Sequence, residues 1–304
     1  SHFAGGYLLL RRGDMLIEIH NNQIGLANKY KSPAPEVDEI EARSEDYAEL
    51  TVPWPGLAVT IGVDVQPDRV AILVVAWGRG EESWRVYWGE FHGNVVDRSD
   101  PVWTDLEHMI FRPFRHESGA EIFAESLSIG SGDGNTNDSV SWFCRKHRHR
   151  GVVSVKGVEQ GEIYRVPRPI DPSRPTKASK YGLLVYQVGT EKAKDLVIGF
   201  GENGGKLRLS EKNEKGDVIT GRGPGRMHWY RGIRGDYFTG VTSEVKGPMR
   251  GKPRNKLYWQ VKSGRKNEPL DCENYALHSA RRIKVNLWTE AQWSAREENL
   301  RQPG

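Results

Sequence analysis

Cysteine is scarce: the 304 residues hold two, Cys144 and Cys272, and neither belongs to a Cys-x-x-Cys pair. That excludes a disulfide scaffold and offers no zinc knuckle, so both thiols read as buried bystanders. No uninterrupted apolar run approaches the roughly 20 residues needed to cross a bilayer, and the N-terminus lacks the charged, apolar and cleavable regions of a secretory signal. The chain is therefore expected to stay in a cytoplasm and away from membranes. A strong charge imbalance is missing too, since 44 Lys and Arg against 40 Asp and Glu leave a net +4. No internal repeat or low-complexity segment is visible. What remains is ordinary globular composition, 37% hydrophobic and 28% charged, enough for one large domain or two small ones.

The positive charge is clustered in RKHRHR (145–150), GRGPGR (221–226) and KGPMRGKPRNK (246–256). Local basic segments respond to a phosphate backbone because each contact releases condensed counterions. Any single run reads as a solvated loop, and the argument for nucleic acid rests on their combination with the acidic residues below. The tryptophans, Trp77, Trp84, Trp88, Trp103 and Trp142 among them, sit in strand-like or helix-like stretches and read as core. The chain opens at Ser1-His2, which reads as a short tag scar on a piece of something longer.

Residues 32–46 (SPAPEVDEIEARSED) are rich in proline and acid, which suits a linker or peripheral arm, and the spacing places a boundary near VPWPG. The expected division is an arm over 1–52 and a folded domain over 53–304. Three β-branched or aromatic runs, 57–66, 69–78 and 82–92, are separated by short breaks and predict an antiparallel meander. An alternation follows: a helix over 101–114, a strand over AEIFAE (120–125), a helix over 137–148 capped by Asn137 or Asp138, and a strand over 151–157. Strand, helix, strand in this order implies right-handed crossovers and parallel pairing. A strand over 181–189, a helix over 190–200, a hairpin over 206–220 turned at Lys215-Gly216, and a closing amphipathic helix over 268–283 complete the reading. The expected fold is an α/β, ribonuclease H-like mixed sheet, a three-strand antiparallel meander plus parallel strands, flanked by helices.

Three carboxylates end or interrupt apolar stretches of this sheet: Asp64 in AVTIGVDVQ, Glu125 in EIFAES and Asp271 in RKNEPLDCENYALHSARR. Burying such a charge without a partner costs several kcal/mol, so three that converge point to bound divalent cations and phosphodiester chemistry. Each has a plainer alternative. Asp64 caps the turn at Gln66-Pro67-Asp68, and Asp271 favours the N-terminus of its helix, as Glu268 does more strongly. Asp133, in the loop SIGSGDGN, competes with Glu125. His147 and His149 read as a solvated helix end. GFGENG (199–204) has the spacing of a dinucleotide fingerprint in the wrong context and reads as a turn.

The succession GVDVQPDR, WGRGEESW, the strand and loop around Glu125, VKG, GTEKAKDLVI, GPGRMHW and GRKNEPLDCENYAL resembles the nuclease domain of phage terminase large subunits. It looks most like the lambda-type branch, over about residues 55 to 285. The resemblance implies a DNA endonuclease that hydrolyses phosphodiesters with two Mg²⁺ or Mn²⁺ ions. Asp64 would occupy the first metal position, Glu125 the second and Asp271 the third. That branch usually carries Asp-Thr where this chain has Glu125-Ser126, and the longer side chain would shift the second ion or require Mn²⁺. Lys156 and Lys266 are placed to touch the scissile phosphate. Arg222, Arg226, Arg250, Lys252 and Arg254 would hold duplex DNA. The implied partners are double-stranded DNA, an upstream ATPase motor domain, a small terminase subunit and the portal, in the host cytoplasm. The other classes are a resolvase or integrase-type nuclease on the same fold and a non-catalytic DNA-binding module.

Overall fold

The computed structural model describes residues 36–130, 136–167, 182–200, 203–208, 211–212, 218–219, 223–253 and 256–301. Its centre is the predicted meander. Strands β2 (Ala58–Gln66), β3 (Arg69–Trp77) and β4 (Ser83–His92) pair antiparallel, β2 turning into β3 through Pro67-Asp68. Strands β7 (Ala124–Gly130), β8 (Val152–Val158) and β9 (Val185–Gly189) then add in parallel beyond β2. A short strand, β10 (Met227–Trp229), pairs parallel to β4 at the other edge, giving the seven-stranded order β10-β4-β3-β2-β7-β8-β9. This mixed sheet flanked by helices is consistent with the ribonuclease H-like fold.

Alternation along the strands separates two cores. Val59, Ile61, Val63 and Val65 of β2, with Val70, Ile72 and Val74 of β3, face helices α2 (Pro101–Phe111) and α3 (Asn137–His147). Ala58, Ala71, Leu73, Val75 and Trp77 face the opposite core, which includes α4 (Thr190–Val197), α5 (Gly235–Val241) and the long helix α6 (Glu268–Arg282). Central strands buried on both faces read as unbroken apolar runs, which is why they were legible. Trp77, Trp84, Trp88 and Trp103 are buried, as are both cysteines.

Several expectations are corrected. The run AEIFAE is not one strand. Glu121–Ile122 (β6) pairs with β5 (Phe114–His116) in a small separate sheet completed by β1 (Thr51–Val52), and only from Ala124 does the chain enter the main sheet. Thr136 is the residue that opens α3, and its side chain makes no cap bond there. Residues 36–52 belong to the packed body: α1 (Val37–Glu41) buries Ile40 in the main core, and Glu45 bridges to Tyr230. The helix at 268–282 is not the closing one, because α7 (Glu290–Arg301) follows it. The reading of GFGENG as a turn is not among these corrections: Gly199–Phe200 pairs antiparallel with Asn203–Gly204, the two residues between them lying outside the described ones. The 206–220 hairpin survives as Glu211–Lys212 against Val218–Ile219, its expected turn lying outside the described residues. Among the described residues no helix is long and apolar enough to cross a membrane.

Candidate active site

Helix α6 lies against β2 more closely than side chains would normally permit. A Cβ added at Gly62 would stand 1.9 Å from the Cys272 carbonyl oxygen and 2.6 Å from the Ala276 nitrogen. On the neighbouring strand, a Cβ at Gly130 would stand 2.6 Å from the Tyr275 ring. Two residues before Gly62, Thr60 Oγ1 donates to the Ala276 carbonyl at 3.0 Å and accepts from Trp77 Nε1 at 2.7 Å. Two residues after it on the same face comes Asp64. The glycine contact with Cys272 thus brings the adjacent Asp271 to Asp64.

Asp64 is 4% exposed and Asp271 is half-buried. Burial raises the Asp64 carboxyl above its ordinary range, opposed by a hydrogen bond from Gln66 Nε2 at 2.7 Å and raised further by the charge of Glu268. Asp271 is raised as well, first by burial, then by the charge of Asp64 itself; Lys194 opposes this, while Glu244 and Glu268 add to it. Among the described residues neither carboxylate has a cation in an ion pair. Arg69, whose charge pulls the Asp64 carboxyl down, is committed to Glu268, Glu90 and Asp68. Lys194 is committed to Glu244, with Nζ 2.7 Å from both carboxylate oxygens. A buried acid and a half-buried one close enough to repel, each acted on only by a cation already committed to another acid, are the chemical setting for a cation from outside.

Glu125 is not brought to this pair. The register passes from Val59↔Ala124 to Thr60↔Ser126, so Glu125 is the extra residue of a β-bulge at the start of β7. Asp64 lies roughly 15 Å further along the sheet, at about 3.3 Å per residue. Glu125 is occupied there by Arg296 of α7, whose Nη1 and Nη2 reach its two oxygens at 2.5 and 2.6 Å. The expected convergence of Glu125 with Asp64 and Asp271 at the second metal position is thus corrected in its placement: Glu125 stands apart from them, in an ion pair joining β7 to α7. Asp133, the competing acid, lies outside the described residues.

The basic candidates divide between the two ends of the sheet. Lys156 follows Val155, whose row contains Gly130, and is exposed at the Asp64 end. Lys266 is exposed just before α6 and acts on Glu90, which pairs with Ala71 opposite Asp64. Arg250 and Lys252 are exposed in the connection between β11 (Glu244–Gly247) and β12 (Tyr258–Val261), and Lys252 Nζ is 3.1 Å from Glu159, just past the end of β8. Arg226 stands at the opposite end, preceding Met227 in the row of Ser83, Trp77 and Ala58. Arg222 and Arg254 lie outside the described residues. His147 is no solvated helix end: it is 4% exposed, with its ring on Phe111 and Phe143.

The sequence reading missed Glu244, Lys194 and Asn267. Asn267 Nδ2 donates to Asp271 Oδ2 at 3.0 Å and to Glu244 Oε1 at 3.1 Å, linking the pair to a buried acid from another element. Asn267 stands four residues before Asp271, a helical spacing that could have flagged it, but nothing in TSEVKG marks Glu244. Among the described residues no three His, Cys, Asp or Glu side chains form a ready metal cage. The carboxylate pair still suits Mg²⁺ or Mn²⁺. Such hard cations take oxygen donors, and Mg²⁺ in particular keeps several waters and binds through one or two carboxylates together with substrate phosphates.

The family model described as terminase large subunit gpA, endonuclease domain, matches residues 8–293. The chain is 28% identical over 261 residues to the terminase large subunit of Escherichia phage lambda, covering 84% of this chain and 36% of that protein. It is 26% identical over 245 residues to the terminase large subunit of Enterobacteria phage P21, covering 78% of this chain and 34% of that protein. The chain thus spans about a third of the length of these relatives. No solved structure matches it. With residues 8–293 under one family model, the chain belongs to the family of the terminase large subunit gpA endonuclease domain.

Proposed function

We propose that the chain is a metal-dependent endonuclease that cuts double-stranded, concatemeric viral DNA by phosphodiester hydrolysis during genome packaging. The observation that supports this reading is the pair Asp64 and Asp271, brought together without an ion pair to either among the described residues while the cations acting on them, Arg69 and Lys194, are bound to other acids. Asp64 from the strand and Asp271 from the helix would hold the ion, with their carboxylates oriented by the hydrogen bonds from Gln66 and Asn267. Bound Mg²⁺ or Mn²⁺ supplies Lewis-acid polarisation of the phosphate and a water nucleophile active near neutral pH. A two-ion arrangement needs a further acid, and with Glu125 engaged by Arg296 that role falls to Asp133, three residues beyond Gly130 in the sequence.

Lys266 and Lys156 stand at the same end to meet the scissile phosphate, and Arg250 and Lys252 to follow the backbone. Such contacts position DNA without reading its sequence and make binding fall steeply with salt. The partners that go with this reading are duplex DNA, an ATPase motor domain upstream, a small terminase subunit and the portal, met in the host cytoplasm.

The test is incubation of the purified chain with supercoiled plasmid and Mg²⁺ or Mn²⁺. Nicking and linearisation are expected with either ion, and are expected to be lost in EDTA, in Asp64→Ala and in Asp133→Ala. Full cleavage by Asp64→Ala would end the proposal; cleavage by Asp133→Ala alone would remove only the third acid.

A further inference from the structure

A line of polar contacts leads away from Asp271 into a part of the molecule that is not in the seven-stranded sheet. Asn267, one helical turn before Asp271, has two hydrogens on its amide nitrogen, and that nitrogen contacts two acceptors, Asp271 Oδ2 and Glu244 Oε1. Glu244 is 1% exposed at the start of β11, and both its oxygens lie 2.7 Å from Lys194 Nζ of α4. An amide tethered this way cannot turn without breaking a bond at one end or the other. Its orientation is set by Glu244, and the orientation of the Asp271 carboxylate is set by it. A buried acid–cation pair is weak evidence for stability, because apolar residues in its place often do as well. Its position two hydrogen bonds from a candidate ligand, through Asn267, gives it a different use.

We infer that Glu244, anchored by Lys194, is a positioning residue that acts through Asn267 to hold the Asp271 carboxylate in the orientation that receives a divalent cation. The inference rests on the metal-binding reading of Asp64 and Asp271. Groups that orient a metal ligand from behind typically govern affinity by tenfold or more.

The experiment measures Mn²⁺ binding to the DNA-free chain by titration calorimetry, with the melting temperature recorded beside it. The proteins are the parent, Glu244→Gln, Asn267→Ala and the double variant. Each single substitution is expected to weaken Mn²⁺ binding by about tenfold. The double variant is expected to be no weaker than the worse single one, because both lie on the same line of contacts. Unchanged Mn²⁺ affinity with a lowered melting temperature would make the line structural and overturn the inference. So would losses that add in the double variant, since Glu244 and Asn267 would then act separately. Should Glu244→Gln fail to fold, Asn267→Ala, on a half-buried residue, decides the matter. A folded parent that binds no Mn²⁺ would bring down the metal reading itself, an outcome distinct from either of the others.

Discussion

Asp271 and Glu273 stand two residues apart on the same helix, and each faces a charged residue of the sheet. Glu273 meets Arg85 of β4, with Nε at 2.8 Å and Nη2 at 2.7 Å from its oxygens, both side chains being at most 2% exposed; Tyr237 adds a third bond at 2.6 Å. Asp271 meets Asp64. The first pair is closed, every charge matched from within the chain. The second is open in that it has no ion pair among the described residues: burial raises both carboxyls, the charge of Glu268 adds to this at Asp64, and the charge of Asp64 adds to it at Asp271. Other acids follow the closed pattern: Glu125 with Arg296, and Glu45 and Glu82 on the two ring nitrogens of His228. Burial of an acid therefore says little about function in this molecule; among the described residues Asp64 and Asp271 differ from these acids in having no ion pair, and the proposed metal site rests on that difference.

The largest effects expected from this contrast run in opposite directions. Glu273→Gln leaves Arg85 buried with its charge unmatched and should cost about 3–5 kcal/mol of unfolding free energy. Asp64→Asn removes a repulsion and should leave the metal-free chain as stable as before or more so, while abolishing plasmid cleavage. Urea titrations in EDTA, paired with the cleavage assay, measure both. A loss of several kcal/mol in Asp64→Asn would show that the open pair is structural after all.

A smaller effect concerns pH. The folded-state pKa values of Asp64 and Asp271 are raised above those of the unfolded chain, so the folded state binds protons more tightly there. Their contribution to stability is full below about pH 4, the ordinary carboxylate range, and is lost as pH rises through the raised values of about 6 for Asp64 and about 8 for Asp271. Melting of the metal-free chain should therefore fall over that window, and Asp64→Asn/Asp271→Asn should flatten the decline. Added Mn²⁺ should restore stability most where the carboxylates are ionised, at the upper end. A metal-free profile indifferent to the double substitution would contradict the raised values.

The meander and α6 were legible because they announce themselves locally. β2 and β3 are unbroken β-branched runs around a Pro-Asp turn, and Leu270 and Leu277 recur at helical spacing in EPLDCENYALHSARR. Asp64 and Asp271 were legible as acids inside apolar patterns. The misplacement of Glu125 has a physical cause: AEIFAESLSIG has no proline or turn dipeptide between Ile122 and Ser126, so nothing local marks either the end of β6 or the bulge with which β7 begins. An acid at the end of a strand in the sequence became one at its beginning in space. Glu244 was silent because its neighbours TSEVKG form a hairpin whose position depends on long-range packing against α4 and α6. The proline and acid of residues 32–46 suggested an arm and gave no weight to Ile40, which the core buries completely. Helix α7 went unread because its sole buried residue is Trp293, leaving no apolar stripe to detect.

The smallest effect tests the closed side of the contrast at its most exposed member. Glu125 and Arg296 each keep 31% of their side-chain surface open to solvent, so water screens the attraction even though the contact is bidentate. Glu125→Ala should lower stability by no more than about 1 kcal/mol and leave Mg²⁺-dependent cleavage near the parental rate. Arg296→Ala should cost a little more, because its guanidinium also lies 4.0 Å from the Trp288 ring centroid and bonds the Leu57 carbonyl. The two losses should not add, since either change removes the same pair. Cleavage lost in Glu125→Ala but kept in Arg296→Ala would make the carboxylate, and not the pair, the functional group. That pattern alone would return Glu125 to the chemistry, and it would require β7 to shift in the DNA-bound state by the roughly 15 Å that now separates Glu125 from Asp64.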